Sequence, residues 1–558
     1  MTADLVGLTW SRKGALRVRH RIQPLLLAGA TVTAFGFADT PRAAELYDES
    51  DLVVRWDNTL RYSAAFRLAG RDPALLANIN GDDGDRNFAP GLISNRVDLS
   101  SRIDLSRDGF GLDASADAWY DSVYQQRNDN DSPATFNPVS VPHNSFTAAT
   151  KSIEGRRAEL ADAFVYGATE LGRLPFSFRI GRQTLLWGES QFFPENGIAG
   201  AQSPIDESRG PLPPGSYAAG GSGQGAYASG YFLPVGQVSA SLGLPDGLTL
   251  DAYWQFEWRA DRLPGTGSYF STSDVDPGGE RYFVGPGSYL YAAPNRSTPA
   301  SGQYGAALRF SAGDVDWGLY ALRYNAKDPQ LYYRFGSNYD QYGGDYASSL
   351  PSGRLGTYQR VYAQGIGLFG ASASFNLGDT SLAGELSGRR DTPLQSRPQF
   401  YAPGQEEHPP YVIGDTLNGD FSSNTGFART RLWDSATLSA DLAARWRLAV
   451  AGRSAALDPS AKDVALAFRA VFEPTYFEVL PQLDLTFQVG VGWAIAGSLT
   501  ADPYQSQGEG SGDLDFGVTA KYRVVWSASV AVVHFVGRAS EQPFADRDFL
   551  SVSVQRTF

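Results

Sequence analysis

Few residues in this sequence have the types and spacing that chemistry requires. None of the 558 residues is cysteine, so neither a thiolate nucleophile nor a Cys/His metal cluster can form. A hydrolytic serine needs a base, usually histidine, and the chain has four histidines. His20 lies in a basic N-terminal stretch, and His143 and His408 sit beside prolines in loop-like sequence. His534 shares a strand face with Val530, Val532 and Val536, where it could work at a lipid edge, yet no Gly-x-Ser-x-Gly elbow accompanies it. A lipid-modifying enzyme is therefore the weakest reading, and the expectation is no enzyme, no cofactor and no metal.

Two other groups carry charge in suggestive patterns. Asp82, Asp83 and Asp85 surround Gly84 and gather the hard oxygens that Ca²⁺ takes. The twelve-residue loop with a closing glutamate is missing, so a solvated acidic outer loop with Arg86 as counterion is expected instead. Arg182, Trp187 and Glu189 fall where one extended segment ends. Seven residues apart on a strand, Arg182 and Glu189 point to opposite faces, so no direct pair is expected between them. Trp187 reads as a member of an interfacial aromatic girdle.

The elements that must position these residues are strands. From Val54 to Leu68, apolar Val54, Trp56, Leu60, Tyr62, Phe66 and Leu68 alternate with Arg55, Asp57, Arg61 and Arg67. One apolar and one charged face means one side against lipid or core and the other in water. Similar segments recur at 92–107, 110–124, 157–168, 175–187, 234–244, 247–260, 304–312, 314–326, 363–376, 379–391, 434–451, 463–474, 482–497, 511–523, 526–538 and 548–558. Short turns such as Arg107-Asp108-Gly109 and Leu377-Gly378-Asp379 alternate with long stretches rich in Gly, Pro, Asn and Tyr near 69–91, 125–153, 188–233, 261–303, 327–362 and 392–431. Sorting of loop length by parity is the outer-membrane arrangement, with short periplasmic turns and long extracellular loops. The predicted fold is all-β, a single transmembrane antiparallel β-barrel of about 16 strands, within a range of 14–18. The seventeen recognisable segments are an odd number, which a single-chain barrel does not allow, so a strand is expected to hide in the stretch before 434.

Both ends of the chain agree with that fold. Residues 1–38 read as a cleaved export signal, with Arg12, Lys13, Arg17, Arg19 and Arg21 ahead of the apolar run 25–38, leaving 39–558 as the barrel domain. Removing five basic residues and Asp4 leaves 42 basic against 59 acidic residues, net −17, which argues against nucleic acid. Leu550, Val552 and Val554 alternate toward the terminal Phe558, as in a barrel-closing strand read by the assembly machinery. Candidate lumen residues Arg55, Asp57, Arg61, Arg67, Asp113, Asp117, Asp121, Arg179, Glu257 and Arg389 mix both signs, which fits pairing along the wall better than ion selectivity.

Gly181-Arg182-Gln183 followed by Trp187-Gly188-Glu189-Ser190 resembles the outer-membrane family catalogued as domain of unknown function 1302 (DUF1302). Asn78 to Phe88, Gln255-Phe256-Glu257-Trp258, Gly267 to Ser271, Gly384-Glu385-Leu386-Ser387 through Arg390, and Asp546-Arg547-Asp548-Phe549 resemble further blocks in the family's order. The chain departs from the pattern after Ser190, with an extra Gly/Ser-rich piece at 210–230. The resemblance implies a barrel in the Gram-negative outer membrane, among lipid and lipopolysaccharide. It also implies passage of a hydrophobic or lipidic molecule, with an RND-type inner-membrane transporter and a periplasmic lipoprotein-like carrier as partners. Arg182, Glu189, Glu257, Glu385 and Arg390 are the candidates for lining the lumen or anchoring a loop. The alternative is a general or substrate-specific porin, with the loop at 188–233 folded inward.

Overall fold

The computed structural model describes residues 44–49, 52–208, 231–336, 354–401, 409–499 and 508–558. The export-signal reading at 1–38 and the Gly/Ser-rich piece at 210–230 lie outside them. Eighteen antiparallel strands close into one barrel. They are β1 (Leu52–Arg67), β2 (Gly91–Arg107), β3 (Phe110–Asp121), β4 (Arg156–Leu171), β5 (Leu174–Gln183) and β6 (Val235–Gly243). β7 (Thr249–Gln255), β8 (Gln303–Ala312), β9 (Val315–Tyr324), β10 (Ile366–Leu377), β11 (Thr380–Pro393) and β12 (Ile413–Phe427) follow. β13 (Ser435–Gly452), β14 (Val464–Leu480), β15 (Leu483–Ala496), β16 (Gly512–Tyr522), β17 (Trp526–Val536) and β18 (Phe549–Thr557) complete the wall.

Each strand pairs with the next, and β18 returns to β1 over nine residue pairs, from Arg67↔Phe549 to Thr59↔Thr557. The hidden strand is β12, inside the stretch taken as a loop, so the expected 16 becomes 18. Its inward positions Thr416, Asn418, Asp420 and Ser422 are polar and buried, while Gly419, Ser423 and Thr425 interrupt Leu417, Phe421 and Phe427 on its outer face. The period-two signal is correspondingly weak.

An even count brings both ends of the wall to the side of the short turns, such as 108–109, 172–173, 378–379 and 481–482. A further strand, Ala44–Glu49, pairs with β1 from Leu52 to Trp56, just beyond the register where β18 stops. Outward residues such as Leu60, Leu112, Phe369, Leu386, Phe421 and Phe516 are large, apolar and exposed, as a lipid-facing band requires. Arg556, opposite Leu60 and Trp526, stacks on Trp526 and Phe558 at the short-turn end.

On the long-loop side, pieces of three loops form a second, five-stranded sheet. Its order is Phe400–Tyr401, Gln330–Phe335, Arg354–Val361, Ser288–Ala292, Arg281–Gly285, and its Leu290, Tyr333, Leu355 and Tyr358 form a buried cluster with Val275. At the seam, buried Arg67 leaves the end of β1 between Asp85, 2.6 Å away, and Asp546, 2.9 Å away. It also donates to the carbonyls of Ala69, Asp85, Phe88 and Asp546. The block Asp546–Phe549 thus holds the outer end of the closing strand to the first acidic loop.

Candidate functional site: an inserted segment across the lumen

Three carboxylates on neighbouring strands form no ion pair with an arginine among the described residues, and the chain leaving β5 supplies their partners instead. Glu385 on β11, Asp420 on β12 and Asp441 on β13 each precede a lipid-facing neighbour (Leu386, Phe421 and Leu442), so all three point into the lumen. Glu385 accepts the backbone amides of Glu189 and Ile198, one on each oxygen. One oxygen of Asp441 accepts the amides of Gln191 and Phe192, both at 2.8 Å, and the Ser190 hydroxyl at 3.2 Å. Asp420 takes the Asn196 side-chain amide at 3.0 Å and the Ser190 hydroxyl at 3.3 Å.

The segment's carbonyls are held as well. The Arg389 guanidinium donates to the carbonyls of Glu195, Asn196 and Gly197, between 2.6 and 3.0 Å. Ser422 donates to the Glu189 carbonyl, and Lys327 to that of Ala201 at 2.9 Å. Gly188 has φ +98°, and a β-carbon at Gly188 or Gly197 would collide with the Glu385 carboxylate. Glycine is needed at both positions so that backbone can approach the anion.

Apolar packing completes the attachment. Trp187 is 3% exposed and meets Tyr253 of β7 edge-on at 5.1 Å and Tyr320 of β9 at 6.0 Å. Ile198, fully buried, belongs to the same cluster, with Leu322, Tyr324, Ile366 and Leu368. Trp187 is therefore not in the interfacial girdle: β5 ends at Gln183, and the chain has turned inward by residue 187. The segment 184–202 covers the inner wall from β7 to β13 at about mid-height. Below it, toward the short turns, lies a cleft of about 280 Å³ lined by Glu189, Arg309, Asp316, Trp317, Tyr320 and Ser372, among others.

The remaining candidates fall in other places. Arg182 and Glu257 form a two-pronged ion pair that also takes the Gly236 amide, clamping the ends of β5 and β6 to the chain after β7. Glu189 does not meet Arg182; its side chain reaches Ser372 at 3.4 Å. Arg390 is exposed, and its neighbour Arg389 makes the contacts to the segment. The acidic loop is not solvated: Asp82, Asp83 and Asp85 are each 0% exposed, although Arg86 does pair with Asp82 as expected. Outside the covered wall, inward charges pair with each other, as in Arg102–Asp113 at 2.8 Å, Arg96–Asp98 at 2.7 Å and Arg469–Asp515 at 2.8 Å. His534 pairs with Asp548 at 2.6 Å near the long-loop rim. Leu550, Val552 and Val554 lie in β18 opposite Phe66, Ala64 and Tyr62, with Phe558 exposed beyond it.

The family model described as "Protein of unknown function (DUF1302)" matches residues 25–558. The chain belongs to that family. No curated protein matches it. Among solved structures, Acinetobacter baumannii OccAB4 is similar at 8% identity and a TM-score of 0.43, over 90% of this chain and 98% of that one. OccAB1 of the same organism gives 10% and 0.42, over 90% and 96%. Pseudomonas aeruginosa OccK1 (OpdK) gives 11% and 0.39, over 90% and 98%. Likenesses this distant carry no function across. The barrel's own closure, apolar exterior and loop parity make this DUF1302 chain a porin-like protein of the Gram-negative outer membrane.

Proposed function

We propose that this DUF1302 barrel is a selective channel, narrowed at mid-height by segment 184–202, rather than an open sieve or an enzyme. The observation that carries this reading is the set of buried lumen carboxylates accepting the segment's backbone amides. A segment held that way obstructs a fixed share of the cross-section and presents fixed polar groups to whatever passes. Mixed-sign pairs on the rest of the wall favour a polar or amphipathic solute over bulk lipid. A hydrophobic molecule would need an apolar lining or a gap between strands, whereas the β1–β18 seam is paired over nine residues.

Planar-bilayer recording of the purified chain tests this. A small, steady conductance that permeant solutes block supports it; silence in the bilayer with lipid co-purifying in stoichiometric amount overturns it in favour of a lipid conduit. Coupling to an RND-type transporter and a periplasmic lipoprotein-like carrier belongs to the same proposal. It calls for cross-links at the short-turn face, where the cleft beside Glu189 opens.

A further inference from the structure

We propose that Asp82, Asp83 and Asp274 hold a divalent cation, Ca²⁺ by its chemistry, which ties the first, second and fourth long loops together. One carboxylate oxygen from each residue lies within 4.8 Å of the others. Ligands on opposite sides of a calcium ion bound at about 2.4 Å stand about 4.8 Å apart, so one ion can reach all three. Asp82 and Asp83 come from loop 68–90 and Asp274 from loop 256–302, and all three are 0% exposed.

The independent pointer is Asp274. Neither of its oxygens accepts a hydrogen bond of normal geometry or forms an ion pair among the described residues. A fully buried carboxylate left in that state is strongly unfavourable unless a cation or a proton joins it. The other two are arranged around the same point. Asp83 accepts the Asn137 amide at 3.1 Å and the Asn130 side chain at 3.3 Å, both from loop 122–155. Asp82 gives one oxygen to Arg86 and keeps the other without a hydrogen bond. Three carboxylates against one directly paired arginine leave two negative charges, which a divalent ion matches. Mg²⁺ keeps several waters and suits such a dry site less well.

Burial, reinforced by the neighbouring charge of Asp82, pushes the Asp83 carboxyl up to about 8. Burial also holds Asp274 well above the usual carboxylate range, with Asp83, Asp82 and Asp276 adding to it and the Asp83 amide offsetting part.

The test uses the full chain refolded in detergent free of lipopolysaccharide and stripped with EGTA. Calorimetric titration with Ca²⁺ at pH 8 should find one site per chain, in or below the range of about 10⁻⁴–10⁻³ M typical of extracellular modules. Asp274→Asn and Asp83→Asn should each bind at least about tenfold more weakly, since affinity follows ligand charge. Asp108→Asn, in a short turn on the other side, should bind as the parent does. Each variant's heat-modifiable gel mobility shows that its barrel has formed. In the parent, Ca²⁺ should protect loops 68–90 and 256–302 from proteolysis. No heat and no protection in the parent, meaning shared protons only, overturns the proposal. So does a pair of folded variants that bind Ca²⁺ undiminished.

Discussion

The wall from β7 to β13 and the wall from β14 round to β4 face one lumen with the same residue types, and they satisfy their charges differently. On the second wall, carboxylates pair with arginines of the wall itself: Asp113 with Arg102, Asp98 with Arg96, Asp513 and Asp515 with Arg469. On the first, Asp251 also pairs with Arg309, but Glu385 and Asp441 receive backbone amides from a segment that entered from outside the sheet. A wall-to-wall pair whose arginine is half-exposed, as Arg102 is, loses little when that arginine goes, because lumen water then reaches the carboxylate. A carboxylate holding an inserted segment leaves several buried amides without partners when removed. The same chemical group is thus a partner for a wall arginine on one side and a fastener for the inserted segment on the other.

Removing a fastener should therefore have the largest effect. Asp441→Ala leaves two backbone amides and the Ser190 hydroxyl without that acceptor. At roughly 1–3 kcal/mol for each buried orphaned group, urea unfolding in micelles should show a loss on the order of 4 kcal/mol. Less than about 1 kcal/mol would erase the contrast between the walls. Ile198→Ala should follow, because a fully buried side chain is lost from the cluster with Tyr320 and Leu368. A loss of about 2–4 kcal/mol is expected, read by Trp187 fluorescence during unfolding. Arg102→Ala, on the uncovered wall, should change stability by less than about 1 kcal/mol. Its trace should instead be a reversal potential shifted toward cations, since Asp113 is left uncompensated.

The wall was far more legible in sequence than the segment inside it. Val54–Leu68 announced itself because Val54, Trp56, Leu60, Tyr62, Phe66 and Leu68 alternate with Arg55, Asp57, Arg61 and Arg67; the strand found is Leu52–Arg67. β12 was hidden because Gly419 and Ser423 dilute its lipid face. The inward turn at Trp187 had no periodic signature, and an aromatic at a strand end reads as girdle until Tyr253 and Tyr320 are seen around it. Asp420 and Asp441 are single acids on inward positions, with nothing local to separate them from Asp113. Only the partner, more than 200 residues away, makes the difference. Asp83 and Asp274 meet across a similar distance. Gly188 and Gly197 held the one local clue, nine residues apart and both placed against Glu385.

Single-channel conductance of the parent chain against the double variant Glu385→Ala/Asp441→Ala tests the central claim most directly. If segment 184–202 narrows the lumen, the parent shows a small, steady conductance and the double variant a several-fold larger, noisier one, with the folded barrel intact on gels. Equal conductance in the two, with both folded, would contradict it.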